Sequence, residues 1–232
     1  MVNNNFLTSP IDAVVFDCDC TLTHLEGVNY LAKLNNIEDE IVALTEDAME
    51  KGHLSQSLYA KRLSLINPTK NQLETLGQAY FDHKVSDILS VITALKKLNK
   101  AIFIVSAGIL YPVRAFAKKL GIPSDNVFAV DLYFENSQYH DFDRKSVLIE
   151  NTGKQSIIKK IKEIYPRLAY VGDGANDLCC ISEVERFIGF GGIIYRELIE
   201  SQSDFYLKSP EMLPLLSLVF TKDEFKQIQE IS

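Results

Sequence analysis

The chain has 232 residues, 47% hydrophobic and 24% charged, with a formal net charge of −7. That length holds one good-sized core, or a core with a small inserted module. The acidic surplus excludes a general polyanion binder, so nucleic acid is not an expected partner, and no apolar run reaches the roughly 18 to 20 residues that cross a bilayer. Met1 to Pro10 lacks the basic flank and apolar stretch of a signal peptide. Cys18, Cys20, Cys179 and Cys180 form two tight pairs, unlike a disulfide framework. The expectation is a cytoplasmic protein with reduced thiols.

In chain order, Ala13 to Phe16 is a short apolar run that ends abruptly in acids. From about Gly27 to Phe81 no strand is predicted. Four helices fit instead, near 28–35, 38–50, 55–66 and 70–81, with Thr69 as an N-cap for the last. Helical spacing of apolar residues continues over 87–98. Ala101 to Val105 then leads into Ser106-Ala107-Gly108, and Pro112 suits the first turn of a helix that stops before Gly121. Alternation over 127–143 around Glu135-Asn136-Ser137 predicts a β-hairpin on the sheet edge. A helix over 154–165 ends at Pro166. Leu168 to Val171 is a strand closing on Gly172-Asp173-Gly174, Phe187 to Phe190 another, and Asp204 to Leu207 an edge strand. Strand and helix in alternation argue for an α/β fold with a Rossmann-like parallel sheet. The helical stretch would be a cap inserted after the first strand, over the sheet edge where ligands bind in such folds. The expected division is a discontinuous core, 1–24 and 84–232, and a cap, 25–83.

Three strand ends would bring Asp17-Cys18-Asp19-Cys20-Thr21, Ser106 and Asp173-Gly174-Ala175-Asn176-Asp177 together, with Lys154 opening a helix nearby. Cleaving a phosphate monoester demands on the order of 20 kcal/mol of barrier reduction, most of it from positioning and charge stabilisation. A carboxylate can be the nucleophile through an aspartyl-phosphate. It needs a cation, because a bare carboxylate repels a phosphoryl group. Mg²⁺ takes one or two carboxylates with phosphate oxygens and water, and Asp17 and Asp173 can supply them. Alternation along an extended chain lets Asp17 and Asp19 share one face while Cys18 points away. One can attack while the other moves the proton.

Those four motifs in order, Asp17-x-Asp19-x-Thr21, Ser106, Gly153-Lys154 and Gly172-Asp173-Gly174-Ala175-Asn176-Asp177, resemble the haloacid dehalogenase superfamily, and within it the phosphoserine phosphatase family. The resemblance runs from Asp12 to about Leu207. It implies that Asp17 is the nucleophile and Asp19 the general acid and base. Asp17, the Asp19 backbone carbonyl and Asp173 would hold Mg²⁺. Ser106, the Ala107 amide and Lys154 would grip the phosphoryl group, with Asn176 near it and Asp177 and Thr21 behind the first layer. Glu26 would read a substrate ammonium and Arg62 a substrate carboxylate, with Met49 close by. A planar guanidinium suits a carboxylate. The implied substrate is a small phosphorylated metabolite, O-phospho-L-serine, and the implied process is serine biosynthesis.

The chain departs from the family's pattern at Glu50-Lys51, where a glycine pair is usual, at Ser55, where some members place an aromatic over the substrate, and at Ala107, which replaces a glycine. A capped phosphatase or phosphotransferase acting on another phosphomonoester therefore stays open, as does a non-catalytic binding protein, against which the full acid–lysine set argues. The cysteine spacings do not fit zinc pairs, and the acidic loop at 173–177 lacks the distal Glu of a calcium loop.

Overall fold

The computed structural model describes residues 5–51 and 55–231, and leaves out the side chains at 45–51 and 231. Met49, Glu50 and Lys51 therefore have no described side chains. Strand β1 (Ala13–Phe16) is followed by helices α1 (Gly27–Leu34), α2 (Glu38–Lys51), α3 (Gln56–Ile66), α4 (Lys70–Asp82) and α5 (Ile88–Lys97). Then come β2 (Ala101–Ile109), α6 (Leu110–Leu120), β3 (Val127–Val130), β4 (Leu132–Glu135), β5 (Gln138–Phe142) and α7 (Gly153–Lys162). The chain finishes with β6 (Leu168–Gly172), β7 (Arg186–Phe190), α8 (Glu197–Gln202), β8 (Phe205–Leu207), α9 (Leu216–Val219) and α10 (Lys222–Ile231).

Six strands form one parallel sheet in the order β3-β2-β1-β6-β7-β8. All four residues of β1 are buried. A strand covered on both faces and paired on both edges can be apolar throughout, which is why Ala-Val-Val-Phe does not alternate. Order reverses at β1, so right-handed crossovers put the helices of the two halves on opposite faces. Phe16 lies opposite Ile104 and Val171, so the chain segments after these three positions emerge side by side at the switch point.

The predicted edge hairpin is a correction. Val127–Val130 joins the main sheet as its edge strand, and only β4 and β5 form the hairpin, as a separate two-stranded sheet. Asn136 and Ser137 both take positive φ, 49° and 66°, the geometry of a tight two-residue hairpin turn. The apolar residues of 127–130 and 132–134 are interrupted only by Asp131, so hydropathy alone gives no clear break between the two strands. Helix α7 also stops at Lys162, short of the predicted 165.

Two linkers join α1–α4 to the rest. They run antiparallel, with Thr23 bridged to Lys84, the His24 N–H donating to the His83 carbonyl (2.9 Å) and the Val85 N–H to Leu22 (2.9 Å). Helix α4 starts with a capping box, Thr69 and Gln72 each accepting the other's backbone N–H. It packs along α6, where Gly77 comes close to Pro112 and Ala115. No helix among the described residues is long and apolar enough to cross a membrane.

Candidate active site

The carboxylates come from the ends of β1 and β6. Asp17 accepts at Oδ1 from the Cys18 N–H (2.7 Å) and from Lys154 Nζ (2.9 Å). Lys154, in the first turn of α7, also reaches Asp177 Oδ1 at 2.6 Å. Asp177 Oδ1 takes a further bond from the Tyr170 hydroxyl (2.6 Å), and its Oδ2 from the Gly174 N–H (2.9 Å). Lys154 is thus a buried cation between two buried anions. Burial pulls its pKa down, but Asp17 and Asp177 more than offset that and hold it above its ordinary value. Gly172 is needed beside this pair, because a Cβ there would collide with the Asp177 carboxylate.

Asp173 accepts at Oδ1 from the Thr21 hydroxyl (3.0 Å). Its Oδ2 is buried without a hydrogen bond among the described residues. Arg196 Nε stands 3.5 Å away, within ion-pair reach but without hydrogen-bond geometry. Burial, with Asp177 adding to it, pushes Asp173 up to about 6, and burial raises Asp17 well above its usual range. Asp17, Asp173 and Asp177 can each bring an oxygen within 4.8 Å of the others.

Asp19 faces the other way. Its Oδ1 accepts from the Tyr80 hydroxyl (2.6 Å) and the Gly27 N–H (2.6 Å), while Ser106 Oγ lies 3.4 Å from Oδ2. Burial raises its pKa against these donors. Strand β2 continues past Ser106 through a register shift between Val105 and Ile109. Irregularities of this kind re-aim side chains near active sites, and here the Gly108 N–H donates to Ser106 Oγ (2.9 Å). Asp17, Asp19, Glu26, Arg62, Ser106, Ala107 and Asn176 line one cavity. Its free volume is about 30 Å³, room for about two waters.

A family model for haloacid dehalogenase-like hydrolases matches residues 11–178. The phosphoserine phosphatase of Bos taurus is 34% identical over 84% of this chain and 88% of its own length. The chain belongs to the haloacid dehalogenase-like hydrolases, within the phosphoserine phosphatase family. Solved structures agree in fold. A phosphoserine phosphohydrolase-like protein from Francisella tularensis superposes with a TM-score of 0.80 at 24% identity, covering 90% of this chain and all of that one. A substrate-bound phosphoserine phosphatase complex gives 0.79 at 23% identity, covering 91% and 99%.

In this hydrolase, the sequence-predicted residues with described side chains gather at the sheet edge, with Glu26 and Arg62 contributed from above it; Met49 lies on α2, and its side chain is outside what is described. Ser55 is placed elsewhere. It is the exposed N-cap of α3, accepting from the Leu58 N–H (3.3 Å). Cys18 is buried off the cavity lining. Sequence reasoning missed Tyr80, Tyr170 and the Gly27 N–H. Each tyrosine sits among apolar residues of its element and reads as core. Gly27 has a local signal only in hindsight, since a Cβ there would strike the Tyr80 hydroxyl.

Proposed function

We propose that this hydrolase cleaves O-phospho-L-serine to L-serine and phosphate through an aspartyl-phosphate on Asp17. The observation that carries this is that Glu26 and Arg62 line the same cavity as Asp17, Asp19 and Ser106. An acid and a guanidinium beside a phosphoryl site match the ammonium and carboxylate of an amino acid. Burial pushes the Glu26 carboxyl well up, and an arriving ammonium ion would favour its charged form. The paired linkers support reading 25–83 as a cap over a core of 1–24 and 84–232.

The residues fit Mg²⁺. Asp173 Oδ2 is a buried acceptor without a hydrogen bond among the described residues, and hard oxygen donors suit this ion. Asp17 and Asp173 would hold it, with the Asp19 backbone carbonyl. Asp177 would not, since Lys154, Tyr170 and Gly174 already use both its oxygens. Bound there, the ion would offset the negative charge of the phosphoryl group.

Asp17 attacks through one carboxylate oxygen and would lend the other, which already accepts from Cys18 and Lys154, to the ion. Lys154 and Ser106 steady the phosphoryl oxygens. Asp19 carries its proton on Oδ2, since Tyr80 and Gly27 lock Oδ1. It passes that proton to the departing seryl oxygen and then takes one from the water that hydrolyses the aspartyl-phosphate. The test is phosphate release with Mg²⁺ across phosphoserine, phosphothreonine, phosphoethanolamine and sugar phosphates. Phosphoserine should exceed phosphoethanolamine at least about tenfold in kcat/KM. A preferred sugar phosphate would overturn the substrate assignment.

A further inference from the structure

Tyr59 lies on α3 three residues before Arg62, and only 1% of it is exposed. Its hydroxyl is buried and makes no hydrogen bond among the described residues. The ring is held on two sides. Arg62 Cζ stands 5.7 Å from its centroid, and Phe142 of β5 packs at 5.0 Å and 58°. A buried hydroxyl without a partner is costly, and such a group calls for an explanation, often a ligand. Burial comes first among the influences that raise the Tyr59 pKa. Arg62 opposes it, and Asp19, Tyr139 and Glu26 add to it. Tyr59 is not itself part of the cavity lining, but its ring stands against Arg62, which is, so the hydroxyl lies one residue behind that wall.

We propose that the Tyr59 hydroxyl donates a hydrogen bond to the substrate carboxylate beside Arg62, which makes Tyr59 a specificity-determining residue of this site. This rests on the reading of the substrate as an amino-acid phosphate. The carboxylate is the matching group for three reasons. A phenol is a good donor to it. Arg62, its receptor, is on the same helix. Glu26, the receptor for the ammonium, belongs to the N-cap of α1 instead. Ser55, where an aromatic lid might be sought, is exposed at the start of α3. Tyr59 puts an aromatic ring against Arg62 from within the helix.

The experiment is Tyr59→Phe, which keeps the ring and removes the oxygen. Wild type and variant are assayed with Mg²⁺ on O-phospho-L-serine and on phosphoethanolamine, which lacks the carboxylate, and the ligand-free proteins are melted. The variant should lose about tenfold in kcat/KM on phosphoserine, mainly through KM, and less than about twofold on phosphoethanolamine. Its Tm should be equal or higher, because an unsatisfied buried hydroxyl is gone. A merely structural tyrosine would lower Tm and affect both substrates alike, and that result overturns the proposal. If wild type does not prefer phosphoserine, the substrate reading fails and takes Tyr59 with it. If wild type prefers phosphoserine and Tyr59→Phe keeps the full preference, Tyr59 alone is wrong.

Discussion

Lys154 sits between Asp17 and Asp177 with both pairs buried. Removing one partner of a buried ion pair costs about 3 to 5 kcal/mol, because the remaining charge is left unpaired. Lys154→Met should therefore lower the urea-unfolding free energy by about that much, besides ending turnover. An unchanged urea midpoint would show that the pair is not formed in solution. Asp17→Asn is different, since the amide can still occupy the site but cannot attack. It should lower kcat by more than about 10³-fold and trap no acid-labile phosphate. The pKa directions give a further expectation. Asp173 is lifted to about 6, and Asp17, Asp19 and Glu26 are raised as well. A carboxyl raised on folding contributes stability that is complete below its unfolded pKa of about 3.9 and is lost as pH rises through the folded value. The chelated protein should thus melt lower at about pH 7.5 than at about pH 5. Mg²⁺ should raise Tm more at the higher pH, where Asp173, lifted to about 6, is ionised. An equal Mg²⁺ effect at both would detach the metal from these carboxylates.

Helices were the most legible elements, because apolar residues three and four apart mark a face without knowledge of the partner. Thr69 and Gln72 show the same at finer grain, a capping box within one turn. Thr69→Ala should cost about 1 kcal/mol in denaturant unfolding, and no loss would mean that α4 is held by α6 alone. Strand ends were legible where apolar runs break into acids or glycines, which is why Asp17, Ser106 and Asp173 stand out. The hairpin was misplaced because a single residue, Asp131, separates the apolar runs of β3 and β4. Tyr80 and Tyr170 were illegible for another reason. Their hydroxyls meet Asp19 and Asp177, respectively, but 61 residues separate Tyr80 from its acceptor, and no spacing rule spans that distance. A tyrosine on a buried face announces packing and hides its polar tip.

At the scale of the molecule, a net charge of −7 meets an anionic substrate. Repulsion between them is screened over about 10 Å at 0.1 M salt, so kcat/KM should rise modestly between about 0.01 and 0.15 M ionic strength. A steep fall would instead reveal cationic steering. With so little free volume in the cavity, a substrate larger than a few waters would need the helices over it to move aside. Those helices are not equally placed to do so. Helix α4 is packed along α6 and brings Tyr80 to Asp19, while α3 carries Tyr59 and Arg62 and meets the β5 hairpin through Phe142. With α3 swung outward and α4 still on α6, Tyr80 would keep its bond to Asp19 while Arg62 left the cavity, which on the proposed reading would separate reactivity from selectivity. An ester with a good leaving group and no carboxylate, such as p-nitrophenyl phosphate, would then turn over on the open form, indifferent to everything α3 contributes.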